Sequence, residues 1–429
     1  MLVFLSDLHL TDGRSGTTIH PMAFCKFSEI LLDVMGDTPN EIGIHQIQLL
    51  LLGDIIDVIR SNLWLRPENN NPEKPIRPWS KELDCDSEGW NLQRYTEEIV
   101  KRITSCYINI EARNHLEYLQ SKCRKLGVEV ELSYIIGNHD WLINRYASTR
   151  QQIARFLGLP NPQCYETNRF PEYLTFPEYG VLARHGDRFD PLNFTGNRDK
   201  SSLGDALVID LLNHLPEEVK ADAYLMQNKK LYQQLKEIDN VRPLLEIPAW
   251  IKGVCRQFPD PQIESKVKKI WNGLVDGFFK LQYVKDLAWS QPFMWFLLRL
   301  ALRFTSGVSI PWLMKILASK TIREWYKKTD DYKDDAYGEV KDNNVSYVVY
   351  GHTHSAQQIP LNILPLSGER ALEQVYFNSG TWRKVFEHTA FEVKDCEFIG
   401  WYVLNFIVFY LKLEKEPERN YEVWAASLG

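Results

Sequence analysis

Five short stretches of this chain place metal-ligand side chains just where an apolar run ends. FLSDLHL carries Asp7 and His9, LLLLGDIID carries Asp54 and Asp57, and YIIGNHD carries Asn138, His139 and Asp140. VLARHGD carries His185 and Asp187, and VVYGHTH carries His352 and His354. Five of the ten histidines of the chain fall in these stretches. Imidazole with carboxylate suits manganese, iron, zinc, nickel or cobalt, and no cysteine stands at a motif position, which speaks against a structural zinc site. Six ligands (Asp7, His9, Asn138, His185, His352, His354) and a carboxylate able to bridge, Asp54, exceed what one ion needs. Two divalent ions roughly 3.5–4 Å apart would use them, activate a bridging water and stabilise the attacking and leaving oxygens of an in-line displacement at phosphorus.

Taken singly, each stretch has a bland reading. D-x-H is a turn aspartate beside a satisfied histidine, GDIID a turn before a capped helix, and GNHD a hairpin turn. Their ordered recurrence, each after an apolar run, is what points to one site. In an α/β sheet, ligands bind at strand ends and in the loops that leave them. Residues i and i+2 of an extended segment face one way, so Asp7 with His9, and His352 with His354, are each expected to present two donors to one spot. Gly53, Gly137, Gly186 and Gly351 are expected to let the backbone turn sharply there.

The ordered series D-x-H, G-D-x-x-D, G-N-H-D, H-G-D, G-H-T-H resembles the calcineurin-like metallophosphoesterase superfamily. The resemblance implies a four-layer α/β/β/α sandwich with a dinuclear site at its strand ends. It implies that Asp7, His9 and His354 hold one metal and Asn138, His185 and His352 the other, with Asp54 bridging. His139, oriented by Asp57, would stand just outside the metals as general acid, a task that suits imidazole near neutral pH. Asp140 and Asp187 are expected behind the ligands rather than among them. Protein serine/threonine phosphatases look like G-D-x-x-D-R-G and L-R-G-N-H-E, whereas here Val58 follows Asp57 and the third stretch reads IIGNHD. The UDP-diacylglucosamine pyrophosphohydrolases are similar in order and carry a helical insertion, but they usually have Arg where this chain has His139.

The elements that must position these residues follow from periodicity. MLVFLS, IQLLLLG, ELSYIIG and GVLARHG read as strands, FCKFSEILLDVM and the zone from Arg94 to Leu126 as helix, and Arg60 to Cys85 as an exposed proline- and asparagine-rich loop. From about 191 to 343 only helical patterns appear, and strands return with VSYVVYG, VYFNSG, WYVL, FIVFYLKL and YEVWAAS. The expected organisation is one α/β core, residues 1–190 and 344–429, interrupted by a mainly helical insertion or cap, 191–343. Phe398 to Leu411 is too short for a membrane span of roughly 20 residues and reads as two short strands.

The net charge of −6 gives no global basic field for nucleic acid. Seven scattered cysteines without a CxxC pair read as reduced thiols, and the N-terminus lacks a basic leader. The expectation is a cytoplasmic hydrolase of phosphate esters or anhydrides, with two divalent ions, manganese first among them, acting on a small or lipid-linked substrate. A nuclease of the same superfamily and a silent scaffold of the same fold are the alternatives. Arg383, after FNSGTW, and Arg299 with Arg303, which share a helix face, are the expected phosphate contacts. Pro292 to Lys320, the most apolar part of the insertion, reads as an ordinary cap packing its apolar face on the core. Trp295, Trp312, Lys315 and Lys320 also fit, without requiring it, a lid that meets acyl chains or a membrane surface. A wall that limits which nucleic-acid ends reach the metals is a third reading.

Overall fold

A computed structural model of the chain describes residues 1–36, 39, 43–67, 75–288, 292–303, 332–365, 371–389, 397–411 and 420–427. It is mixed α/β, with two five-stranded mixed sheets and a two-stranded one. The first large sheet runs β12 (Tyr421–Ser427), β11 (Val403–Phe409), β1 (Leu2–Leu5), β2 (Gln46–Leu52), β3 (Glu129–Ile135). In it β1, β2 and β3 are parallel, with Leu5 opposite Leu51 and Leu52 opposite Ile135. The second runs β4 (Tyr173–Phe176), β5 (Val181–Arg184), β6 (Tyr347–Tyr350), β8 (Ala371–Asn378), β7 (Gln357–Pro365), with β5, β6 and β8 parallel. β9 (Val385–His388) pairs with β10 (Phe398–Trp401). The two strands expected in the apolar run near residue 400 are thus β10 and β11, broken at Tyr402.

Strand alternation sorts the side chains by layer. Leu2 and Phe4 of β1, with Leu50 and Leu52 of β2, pack against Val181, Ala183, Val349 and Phe377 of the other sheet. Val3, Leu5, Leu49 and Leu51 point the other way, into a core shared with α1 (Met22–Met35), α2 (Leu92–Thr104), α3 (Tyr107–Lys125) and α4 (Ala147–Leu157). Burial on both faces explains why β2 reads as an unbroken leucine run. In α1, Phe24, Phe27, Leu31 and Met35 form the buried stripe, and both phenylalanines meet Trp382, at 5.2 and 5.4 Å between ring centroids.

Between β5 and β6 the described regular elements are helices: α5 (Leu203–Leu207), α6 (His214–Ala221), α7 (Lys229–Leu235), α8 (Ile247–Arg256), α9 (Pro261–Phe278), α10 (Gln282–Ala288), α11 (Pro292–Leu302) and α12 (Tyr332–Asn343). The first seven share the α1–α4 core. α12 instead covers the outer face of the second sheet, packing Tyr332, Ala336 and Val340 on Leu182, Val348, Tyr350 and Tyr376. The stretch read as an exposed loop from Arg60 to Cys85 is partly interior. Arg60, Ser61, Trp64, Ile76 and Arg77 are buried, because Arg60 and Arg77 bond to Asn213 and Asp210 of the helical segment.

The six described cysteines are unpaired. Among the described residues no helix is long and apolar enough to cross a membrane.

Candidate metal centre

The parallel strands end on one edge, and the loops leaving them stay zipped together for a few residues more. His9 N–H donates to the Asp54 carbonyl at 2.8 Å, Leu10 to Ile55 at 2.8 Å, Val58 to His139 at 3.2 Å and Gly351 to His185 at 2.9 Å. The turn after β8 braces the loop after β1: Thr381 Oγ1 donates to the Asp7 carbonyl at 2.6 Å, and Ser379 Oγ lies 2.6 Å from Ser6 Oγ. Five loops of unrelated sequence position thereby meet.

The convergence is not produced by extended segments. Asp7, His9, Asp54, His352 and His354 all have positive φ, between 43° and 70°, and make up five of the seven non-glycine residues in that region among those described. Such a conformation costs on the order of 1–3 kcal/mol per residue and persists only where the surroundings over-determine it. The expected i, i+2 geometry is therefore replaced by a left-handed kink at Asp7, His9, His352 and His354. The glycines also divide differently from expectation. Gly53 and Gly186 take positive φ, whereas Gly137 and Gly351 are needed for closeness: a Cβ on Gly137 would collide with Asp54 Oδ1, and one on Gly351 with Asp7 Oδ2.

All seven expected ligands are brought together. On one side, His9 Nε2 lies 3.0 Å from His354 Nε2, and Asp7 Oδ1 lies 3.3 Å from His354 Nε2 and 3.8 Å from His9 Nε2. Asp7 Oδ1 is buried and accepts no hydrogen bond, while Oδ2 accepts from Ser6 Oγ at 2.5 Å and from His352 N–H at 3.0 Å. On the other side, Asn138 Oδ1 lies 3.2 Å from His185 Nε2 and 3.0 Å from His352 Nδ1. Asp54 Oδ2 reaches both sides, 3.2 Å from His185 Nε2 and 3.7 Å from His9 Nε2.

Two groups of side chains compact enough to hold a cation are Asp7–His9–His354 and Asp54–His185–His352. A third, His9–Asp57–His139, shares His9 with the first. An orphaned carboxylate oxygen facing imidazole nitrogens, in a borderline N/O donor set, fits divalent transition metals.

Each ligand is held from behind. Asp57 Oδ2 accepts from His9 Nδ1 at 3.0 Å and Oδ1 from His139 Nδ1 at 3.0 Å, which leaves Nε2 of each ring for other work. His185 Nδ1 donates to the Leu52 carbonyl at 2.9 Å, and His352 Nε2 meets Asp190 Oδ2 at 3.0 Å. Arg242 Nη2 donates to His354 Nδ1 at 3.0 Å. Burial opposes charge on His139, but the Asp57 and Asp54 carboxylates outweigh it and raise the ring to about 10. Burial and the Arg242 guanidinium push His354 down to about 3. Asp140 stands behind the ligands, accepting from Gly137 and Ile55 N–H, and burial with the neighbouring Asp54 charge raises it to about 7. Asp187 pairs with Arg198.

Above the ligands opens a cleft of about 570 Å³ whose floor includes Asp54, Asn138, His139, His352 and His354. The helical segment supplies much of its wall, with Leu207, Val208, Asp239, Arg242 and Glu246. The three arginines expected to contact phosphate do not line it. Arg299 and Arg303 both pair with Asp276 on the protein surface, at 2.7 and 3.1 Å. Arg383 is buried, with Nη1 on Asp239 Oδ2 at 3.1 Å. Trp295 is turned inward against Phe279, as an ordinary cap packed on the core would have it and unlike a lipid-facing lid. Trp312, Lys315 and Lys320 lie outside the described residues.

Reading motifs missed three residues of this centre: Asp190, Asp239 and Arg242. Asp190 had a usable signal, a second acid three residues beyond Asp187 in HGDRFD. The other two depend on how the helical segment docks, which no local pattern encodes. No family model matches the chain, and no curated protein matches it significantly.

Proposed function

We propose that this chain is a dinuclear-metal phosphoesterase or pyrophosphohydrolase built on a four-layer α/β/β/α metallophosphoesterase sandwich, with the helical segment as a cap over the site. The observation that carries the reading is Asp54 Oδ2, one carboxylate oxygen within reach of both imidazole clusters. The two packed sheets, with helices on the outer faces of both, support the fold assignment.

Asp7, His9 and His354 would hold one ion, Asn138, His185 and His352 the other, and Asp54 both. The pair would supply Lewis acidity toward a phosphoryl group and an activated water near neutral pH. His139, fixed through Nδ1 by Asp57, lines the cleft, so its Nε2 can protonate a leaving oxygen. Arg242 is the cleft arginine placed to meet a non-bridging phosphate oxygen.

The cleft favours a small or lipid-linked substrate over nucleic acid. Its walls carry Asp190, Asp239, Glu246 and Glu387 against Arg242, and burial together with Glu387 raises Glu246 to about 7. A strand of successive phosphates would run past carboxylates. The test is a panel with manganese: a generic phosphodiester, UDP-sugar lipids, cyclic nucleotides, and single- and double-stranded DNA. Turnover of a small or lipid-linked member is expected. Turnover of DNA alone would make the chain a nuclease, and no turnover of any member with metal bound would leave a scaffold.

A further inference from the structure

Two arginines converge on one short turn of the helical segment, Ile238–Asn240. Asp239 Oδ2 accepts Arg383 Nη1 at 3.1 Å, and the Asp239 carbonyl accepts Arg242 Nη1 at 2.6 Å. Arg383 Nη1 also stands 3.8 Å from Asp57 Oδ2, the oxygen that accepts from His9 Nδ1 at 3.0 Å. Asp57 Oδ1 is already committed to His139 Nδ1 and to Arg60 N–H. Only Oδ2 is open to contest, and one guanidinium nitrogen lies between it and Asp239, nearer to Asp239.

We propose that Asp239 is a positioning residue of the metal centre: it draws the Arg383 guanidinium away from Asp57, so that Asp57 Oδ2 stays committed to His9 and His9 Nε2 stays aimed at Asp7 and His354. The proposal rests on reading His9 as a metal ligand. Its logic is competition for one oxygen. A buried guanidinium–carboxylate bond is charge-assisted on both sides and outweighs a bond from an imidazole N–H. Arg383 is 3% exposed and Asp239 3% exposed, so neither charge is relieved by water. If Asp239 loses its charge, Arg383 must find another carboxylate, since an uncompensated buried charge is strongly disfavoured. Asp57 is the one within reach. His9 then loses its anchor although nothing has touched it. The helical segment would thus set the geometry of a ligand on β1's loop, besides walling the cleft.

The test is metal affinity of the full chain, stripped with chelator and titrated with cobalt(II) or manganese against a fluorescent chelator. Asp239→Asn is expected to weaken binding by about 10–100-fold, the usual cost of losing support behind a ligand. Removing the competitor as well, in Asp239→Asn/Arg383→Gln, should restore affinity to within about threefold of the parent, because members of one network are not additive. A double variant as weak as the single one, or an Asp239→Asn affinity equal to the parent's, overturns the proposal. If Asp239→Asn does not fold by circular dichroism, Arg383→Gln alone decides. Affinity close to the parent's supports competition, and a loss of tenfold or so makes Arg383 a strut. A parent that binds neither ion overturns the metal centre, and this role with it. A parent that binds tightly, with Asp239→Asn unchanged, overturns the role alone.

Discussion

His9 Nε2 and His354 Nε2 stand 3.0 Å apart although 345 residues separate them in the chain. The two rings are held in opposite senses. His9 Nδ1 donates to the Asp57 carboxylate, so its Nε2 carries the lone pair. His354 Nδ1 accepts from Arg242, so the proton of the neutral ring is on Nε2 and is given to His9. A cation placed among Asp7, His9 and His354 needs the lone pair of His354 Nε2. The proton must then move to Nδ1, where Arg242 now donates. Arg242 Nη2 and a cation would therefore compete for the same imidazole, and a cation bound there would release Nη2 toward the cleft while Nη1 stays on the Asp239 and Val241 carbonyls.

That competition gives two effects of opposite sign from one substitution. Arg242→Gln is expected to tighten metal binding by about tenfold, because a competing charge-assisted bond and a positive charge beside the site are both removed. It is also expected to raise KM for a phosphodiester, because the cleft's arginine is gone. Metal titration and steady-state kinetics on the same preparation check both. Weaker metal binding together with unchanged KM would contradict the arrangement.

On the proposed reading Asp54 serves both ions, so its loss should not be graded. Asp54→Asn is expected to reduce bound metal below two ions per chain and turnover by about a hundredfold or more. Metal content by elemental analysis, measured beside turnover with manganese in excess, checks this. Full occupancy with normal turnover would remove the bridging role.

His139 touches the cleft but belongs to no expected ligand set. His139→Gln is therefore expected to keep both metals and lose about 10²–10⁴-fold in kcat. With an activated aryl phosphodiester, whose leaving group needs no proton, most of that loss should vanish. An equal loss on both substrates would mean that the ring serves structure instead of proton transfer.

The convergence of these side chains was legible because ligand-type residues mark the strand ends locally. Asp7, His9, Asp54, Asn138, His185, His352 and His354 each follow an apolar run, and parallel strands of the two sheets bring the run ends to one edge. What was not legible is what depends on docking. Arg299 and Arg303 do share a helix face, but the partner of that face is Asp276 of α9, not the cleft. Trp295 fitted both a core-packed cap and a lipid-facing lid, because an apolar helix reads alike whether another helix or a membrane covers it. Asp239 and Arg242 sit in IDNVRP, which carries no pattern, and acquire meaning only because that turn meets Arg383 and His354. The left-handed backbone at five ligands was equally hidden, since Asp and His adopt it only when their surroundings force them to.

Gly137 and Gly351 show how closely the loops approach. Neither has positive φ, so alanine suits their backbone, yet its methyl group would occupy the space of Asp54 Oδ1 or Asp7 Oδ2. Gly351→Ala is expected to weaken metal binding by about tenfold or more while costing about 1–3 kcal/mol of stability from overpacking. Chelator competition and urea unfolding check the two numbers separately. Unchanged affinity would mean that Asp7 can move without consequence, which a ligand cannot.

Away from the metal centre, one buried ion pair carries a pH dependence of definite sign. Arg77 Nε donates to Asp210 Oδ1 at 2.8 Å, tying the loop after β2 to the helical segment, and His214 Nε2 lies 3.8 Å from the same oxygen. Burial alone would raise Asp210, but Arg77 and His214 outweigh it and hold the carboxyl below its ordinary value. A depressed folded pKa contributes stability that is complete above the unfolded value, about 3.9, and disappears as pH falls through the folded one. Arg77→Gln leaves Asp210 buried without its main partner and is expected to cost about 3–5 kcal/mol at pH 7. Without Arg77, burial raises Asp210 in the variant above its unfolded value. The variant therefore regains stability by protonating it, and the gap between parent and variant in urea unfolding should narrow progressively as pH falls from 7 toward about 4. A gap that widens on acidification would mean that the pair is not what holds this loop.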